Sequence, residues 1–215
     1  MWDATRLSLQ VLAVSVPVIF VLGIAFAILF ARAKFRGRSV AETIVMLPLV
    51  LPPSVVGYGL LRGLGRGGPL FEWFGVNLLF TWQAAAVASA VVGLPLMVQA
   101  AKVGFLGVDP LIEDAARVDG AHRWQVYWSI TLPLARRGIV VGLLLGSVRA
   151  LGEFGATLAV AGNLPGRTQT MPLAIYDAMQ RFDYALANQI TILMIALGYG
   201  TIWLTQRLAT NSDTW

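Results

Sequence analysis

Long apolar runs alternate along this chain with short stretches where charges, glycines and prolines collect. A helix rises about 1.5 Å per residue, so roughly 20 apolar residues are needed to cross about 30 Å of hydrocarbon. Five runs reach that length: 9–30, 43–61, 81–101, 138–161 and 186–206. The first contains Pro17, the second Pro48, Pro52 and Pro53, the third Gly93 and Pro95, and the fourth Arg149 and Glu153. Between the last two runs, Pro172, Ile175, Tyr176, Met179 and Phe182 recur at helical spacing among Asp177, Arg181 and Asp183. That pattern predicts a short amphipathic helix lying on the outer interface or dipping partway into it. The alternative is a sixth full span, which would reverse the side of the C-terminus. The expected fold is therefore an all-α, polytopic transmembrane bundle of five spans, with a sixth partial or short helix.

Composition agrees. Of 215 residues, 57% are hydrophobic and 13% charged, with a mean hydropathy of +0.72. A soluble domain carries about a quarter charged residues. With no cysteine, disulfides, thiolate metal sites and cysteine nucleophiles are excluded, and His122, the single histidine, cannot supply a histidine cluster. No cofactor or metal is expected. The opening MWDATRLSLQ lacks the basic start and short apolar core of a cleaved leader, so the first run is expected to remain as an anchor.

The net charge of +5 would suggest nucleic acid in a soluble protein, but in a membrane protein it reads as an orientation signal. With the N-terminus outside, the inner loops and tail hold ten basic residues: Arg32, Lys34, Arg36, Arg38, Lys102, Arg117, Arg123, Arg136, Arg137 and Arg207. The outer side holds five, Arg6, Arg62, Arg66, Arg167 and Arg181, and Arg149 lies within a span. N-out and C-in is expected, placing the 102–137 loop in the cytoplasm of a cell, in a bacterial inner or plasma membrane. Five spans leave no place for a nucleic-acid partner.

That loop carries the most specific signal. Asp109-Pro110 is a good helix start, an N-cap acceptor followed by proline at the first helical position. Glu113 and Asp114 fall in the first turns, where negative charge suits the helix dipole. Gly120 fits the position just past the helix end. A second helix over 122–130 places Trp124, Tyr127 and Trp128 on one face, before Pro133 turns the chain back toward the membrane. The acidic residue, the pair Ala115-Ala116, Gly120, and then Ile130, Leu132 and Pro133 keep the spacing of the EAA loop, and the stretch resembles the loop by which type I ABC importer permeases engage their ATPase. Asp114 stands where that pattern usually has glutamate, with Glu113 just before it. A DNA-reading or interfacial helix pair shares the outline but not the spacing to Pro133. The resemblance implies a cytoplasmic coupling loop over 109–133, with Glu113, Asp114, Ala115, Ala116, Gly120, Ile130, Leu132 and Pro133 serving ATPase coupling.

No energy source lies in the chain. GxxxxGK[ST] is absent, and the formal GxGxxG at 63–68 follows a proline-broken apolar run rather than a strand, which reads as an outer loop. ATP hydrolysis is expected from two separate ATPase subunits, matched by a two-fold pair of permeases.

Ionisable residues inside spans are costly and mark function by default. Arg149 and Glu153, four apart, share a helix face and are expected to pair, either as a structural lock or as part of the pathway. The strings Arg149-Ala-Leu-Gly-Glu153-Phe-Gly-Ala-Thr157 through Thr168, and Leu47-Pro-Leu-Val-Leu-Pro-Pro53-Ser-Val-Val-Gly57-Tyr58, are similar to those of molybdate-importing ABC permeases. The resemblance implies one type-1 permease domain over 5–208, acting as a homodimer with a separate extracytoplasmic oxyanion-binding protein. Sulfate or tungstate import is the alternative within transporters. Pathway candidates are Arg149, Glu153, Thr157, Asn163, Pro52 and Pro53. An integral-membrane enzyme using Glu153 or Asp177 is a remote alternative, since no span holds paired carboxylates and no nucleophile motif appears.

Overall fold

The structure is a computed structural model and describes residues 1–210. Among these residues it is helical, without strands. In chain order the helices are α1 (Trp2–Arg32), α2 (Arg38–Val50), α3 (Pro53–Leu64), α4 (Pro69–Phe74), α5 (Trp82–Leu106), α6 (Pro110–Val118), α7 (Arg123–Val126), a π-turn (Tyr127–Thr131), α8 (Leu132–Leu151), α9 (Gly155–Ala161), α10 (Met171–Gln180) and α11 (Tyr184–Thr210).

The core is built around α5, which packs along both α1 and α8. Its first turns are a run of buried alanines, Ala84, Ala85, Ala86, Ala88 and Ala90, and the neighbouring helices come in close. A Cβ on Gly138 of α8 would lie 2.6 Å from the Gly104 Cα and 2.7 Å from the Ala100 carbonyl oxygen, so α5 and α8 touch backbone to backbone. One Cβ on Gly93 would stand 2.6 Å from the Gly146 oxygen, which repeats the contact three turns away. Apolar burial drives little helix association in lipid, so this kind of close packing must supply it.

Among the described residues, four helices, or in one case a continuous helical run, are long and apolar enough to span a membrane: Trp2–Arg32, Trp82–Leu106, Arg123–Leu151 and Tyr184–Trp203. The second predicted span is not straight. It divides into α2 and α3, bent by 117° at the intervening Leu51 and Pro52, and only as one broken unit does it bring the number of spans to five. Proline is the cause: Leu51, preceding Pro52, is extended at φ −72° and ψ 144°, as a residue before proline prefers.

The fourth predicted span is corrected at both ends. It begins earlier, because α7, the π-turn and α8 run on as one helical rod, and Pro133 does not turn the chain but sits in the first turn of α8. Proline is tolerated there because the π-turn carries the backbone past it, the Leu132 N–H donating to the Tyr127 oxygen five residues back. The rod also stops short of 161. It ends at Leu151, and α9 starts afresh at Gly155.

The expected short helix exists as α10, but its buried side is Met171, Leu173, Ala174 and Ala178, packed on α11 and α1. Tyr176, Met179 and Phe182 of the predicted apolar stripe are exposed. The Met171 N–H donates to Ser8 Oγ of α1 at 2.8 Å, pinning the helix inside the bundle.

Gly138→Val should therefore destabilise the detergent-solubilised protein by about 1–3 kcal/mol, because backbone must move to admit the side chain. Gly198→Ala in α11, where a Cβ meets nothing within 4 Å, should be neutral or stabilise by up to about 1 kcal/mol. Thermal denaturation of the two variants side by side checks the pair.

Candidate functional site

Two regions hold the expected site residues. The first is a projecting knob formed by α6, the following turn and α7. Asp109 Oδ1 accepts the Leu111 N–H at 2.9 Å, capping α6 as its position before Pro110 predicts. The far end closes in a Schellman motif: the Ala121 N–H reaches the Ala116 oxygen at 2.9 Å and the Gly120 N–H the Arg117 oxygen at 3.1 Å. Gly120 sits at φ +90°, a conformation glycine adopts without strain, and no atom lies within 4 Å of where its Cβ would be. The His122 N–H then donates to Gln125 Oε1 at 2.7 Å and starts α7.

These caps hold an apolar face toward the outside. Leu111, Ala115 and Val118 share one side of α6, and Leu111 and Val118 are 73% and 87% exposed. Trp124 and Trp128 flank Tyr127 edge to face, at ring separations of 6.4 and 5.5 Å, with Trp124 71% exposed. Large apolar side chains clustered on an exposed knob mark an interaction surface.

The other face of α6 turns into the protein. Glu113, only 6% exposed, receives both Arg32 terminal nitrogens, at 3.1 and 2.9 Å, and the Thr131 hydroxyl at 2.7 Å. Asp114, its neighbour, is exposed and pairs with Arg117 at 2.7 Å. The two acidic residues thus face opposite environments. Ala116, Ile130 and Leu132 are half-buried, while Pro133 is exposed on the rod. A cavity of about 540 Å³ opens beside them, lined by Arg32, Glu113, Arg117, Arg123, Tyr127 and Thr131 among others.

The second region is a layer of broken helices, α3 against α9. Arg149 and Glu153 do pair, at 2.9 Å, but Glu153 lies beyond the end of α8. Its other oxygen accepts the Ala156 N–H at 2.8 Å, so the carboxylate both neutralises Arg149 and caps α9. Pro53 packs on this break: a Cβ on Gly155 would be 2.9 Å from the Pro53 Cβ. Thr157 is buried in the same layer, and its hydroxyl has no partner. Pro52 is exposed at the bend. Asn163 stands apart in the loop after α9, where its Oδ1 accepts from Gln169 Nε2 at 3.0 Å; Gln169 also reaches Asp177, which pairs with Arg181. The structure therefore joins Pro53, Glu153 and Thr157, and leaves Asn163 to a separate polar chain.

Arg32 and Thr131 were not legible as site residues. Arg32 reads in sequence only as one of four charges flanking the first span, and Thr131 lies 18 residues from the carboxylate it binds.

Comparison with known proteins gives the family and the fold. Putative molybdenum transport system permease protein YvgM of Bacillus subtilis is 46% identical over 209 residues, covering 95% of this chain and 92% of the relative. Molybdenum transport system permease protein ModB of Escherichia coli (strain K12) is 43% identical over 213 residues, covering 97% and 93%. Sulfate transport system permease protein CysW of Synechococcus elongatus is 32% identical, covering 94% and 72%. Among solved structures, a chain of the inward-facing MetNI methionine ABC transporter matches with a TM-score of 0.77 at 17% identity, over 97% of this chain and 94% of that one. A chain of a bacterial ABC transporter that imports alginate matches at 0.78 and 20%, over 99% and 79%. The fold is that of type I ABC importer permeases, and the protein is a multi-pass membrane protein. Matching at residues 19–212, the chain belongs to the family of binding-protein-dependent transport system inner membrane components.

Proposed function

We propose that this chain is the membrane subunit of an ATP-driven molybdate importer, with 5–208 forming one permease domain. Two copies enclose the path, two separate ATPase subunits grip the 109–133 knobs, and an extracytoplasmic binding protein delivers the anion. The chain itself catalyses no reaction. The observation that carries the reading is the capped knob with its outward apolar face, since Leu111, Val118, Trp124 and Trp128 gain nothing from exposure to water. Molybdate is favoured over sulfate because relatives named for molybdenum reach 43–46% identity, with one at 32%, whereas those named for sulfate reach no more than 35% among the relatives compared.

The N-out, C-in arrangement is part of this proposal. It is supported by the basic residues of the first loop lying at the knob's end of the molecule, where Arg32 meets Glu113. Along the path, Glu153 has both oxygens engaged and serves as the brace of the break, which also leaves it unsuited to act as an enzyme's acid or base. Arg149 keeps 31% of its side chain accessible, so its guanidinium retains donors for a passing oxyanion. One such cation attracts a dianion without holding it too tightly to leave.

Reconstituted with its ATPase and binding protein, the permease should drive ATP-dependent molybdate uptake into vesicles, with tungstate competing well and sulfate poorly; alone it should accumulate nothing. Accumulation without the ATPase, or equal competition by sulfate, counts against the proposal. Gly120→Trp should insert normally yet lose ATP-driven uptake. Gly120→Ala, which adds only a left-handed backbone strain of about 1–2 kcal/mol, should retain part of it. Full uptake by the tryptophan variant would remove the docking role from the knob.

A further inference from the structure

The knob is joined to the transmembrane core by two backbone connections. One runs from the end of α5 through Gly107 and Val108, the other through Gly120 and α7 into the π-turn. A short linker and an irregular turn are both places where a helix can pivot. If these were the only links, a force on the α6 part of the apolar face, Leu111 and Val118, would swing α6 without displacing the bundle. A third link prevents that swing.

Arg32, the last residue of α1, donates to both carboxylate oxygens of Glu113 on α6, at 3.1 and 2.9 Å. The same guanidinium donates to the Phe105 oxygen at the end of α5, at 3.2 Å. Thr131, in the π-turn, donates its hydroxyl to the same carboxylate at 2.7 Å, and Arg117 stands 3.7 Å from it. One carboxylate thus ties the knob to α1, to α5 through Arg32, and to the root of α8 through Thr131. The carboxylate is buried and 31% of the Arg32 side chain is accessible, and a charge-assisted bidentate pair of this kind resists separation more than a single exposed contact. Neither backbone connection reaches α1, so Arg32 supplies that link across 81 positions of sequence.

We infer that the Arg32–Glu113–Thr131 junction is the rigid joint of coupling: it makes displacement of the knob equal displacement of the α1–α5–α8 core. Arg32 is a positioning residue in this scheme. It touches neither ATPase nor anion, and acts by removing slack between them. The inference rests on the docking reading above, and assigns Glu113 to transmission and Asp114, beside it, to the outward surface.

The test uses the complete transporter in vesicles, measuring three quantities: ATPase retained on the purified permease, ATP hydrolysed, and molybdate taken up per ATP. Arg32→Ala leaves a buried carboxylate uncompensated, so the double variant Arg32→Ala with Glu113→Gln removes both charges and protects folding. Both should retain bound, hydrolysing ATPase while uptake per ATP falls about tenfold, the size expected when a coupling contact is lost. Arg32→Lys keeps the charge but not the three-way fork, and should fall between wild type and the double variant. Undiminished uptake per ATP in the double variant overturns the inference, as does a parallel loss of hydrolysis and uptake at constant ratio in Arg32→Lys. Failure of the wild-type permease to retain its ATPase would instead sink the docking reading, so the two failures are told apart.

Discussion

Backbone amides and carbonyls must find partners inside the protein wherever water is absent, and this constraint shapes the whole molecule. Long helices meet it automatically. At two places within its apolar lengths the chain leaves the helix, and each is repaired locally. At the first, the Leu51 N–H still reaches the Leu47 oxygen at 3.0 Å, and Pro52 offers its oxygen to the N–H groups of Val55 and Val56. At the second, Gly152 and Glu153 bond back to Val148 and Ala150, while the Glu153 carboxylate covers the exposed start of α9. The two repaired breaks then cover each other, Pro53 lying on Gly155 and Gly57 on Ala156. Glu153 is buried at their junction, while Leu51, Pro52 and Gly152 remain exposed on the single chain.

The same constraint separates a stiff half of the molecule from a jointed half. In α1, α5 and α8, small residues bring the helices into backbone contact, and Gly93, Gly104, Gly138 and Gly146 leave no room for relative sliding. In α3 and α9, short helices meet through a proline and a few alanines, and the Arg149–Glu153 pair ties the start of α9 back to the end of α8. A transporter needs both qualities: a body that moves as a unit and a layer whose shape can change. The knob attaches to the stiff half; of the residues suspected of lining the path, Pro53, Glu153 and Thr157 lie in the jointed half, and Arg149 stands on α8 at its edge.

Much of this was legible in the sequence. Spans one, three and five follow from length and apolarity alone, and the caps of α6 follow from Asp109, Pro110 and Gly120. Proline warned of trouble in span two, but a bend of 117° depends on what α3 packs against, which no local pattern carries. Span four was read as continuous because Gly152 and Phe154 are both compatible with a membrane helix. The break becomes visible only when Glu153 is seen accepting a backbone N–H instead of lying along the helix. The apolar stripe predicted for α10 would lay Tyr176 and Met179 against the outer interface, whereas the face that packs on α11 and α1 is a different one, Met171, Leu173, Ala174 and Ala178. Arg32 escaped notice for a simpler reason: its partner is distant in sequence, and one charge at the end of an apolar run looks like any other.

The π-turn at Tyr127–Thr131 holds one residue more than an α-helical turn would. The wide turn absorbs that surplus residue, so the tryptophan face of α7 and the glycine face of α8 keep nearly the phase they would have without it. Removing the residue and closing the turn to regular α-helix would leave Trp124 facing almost the same way, whereas a residue added within the regular part of α8 would rotate it by about 100° about the rod's axis. The irregular turn is thus the place along this rod where a change of length costs the docking face least.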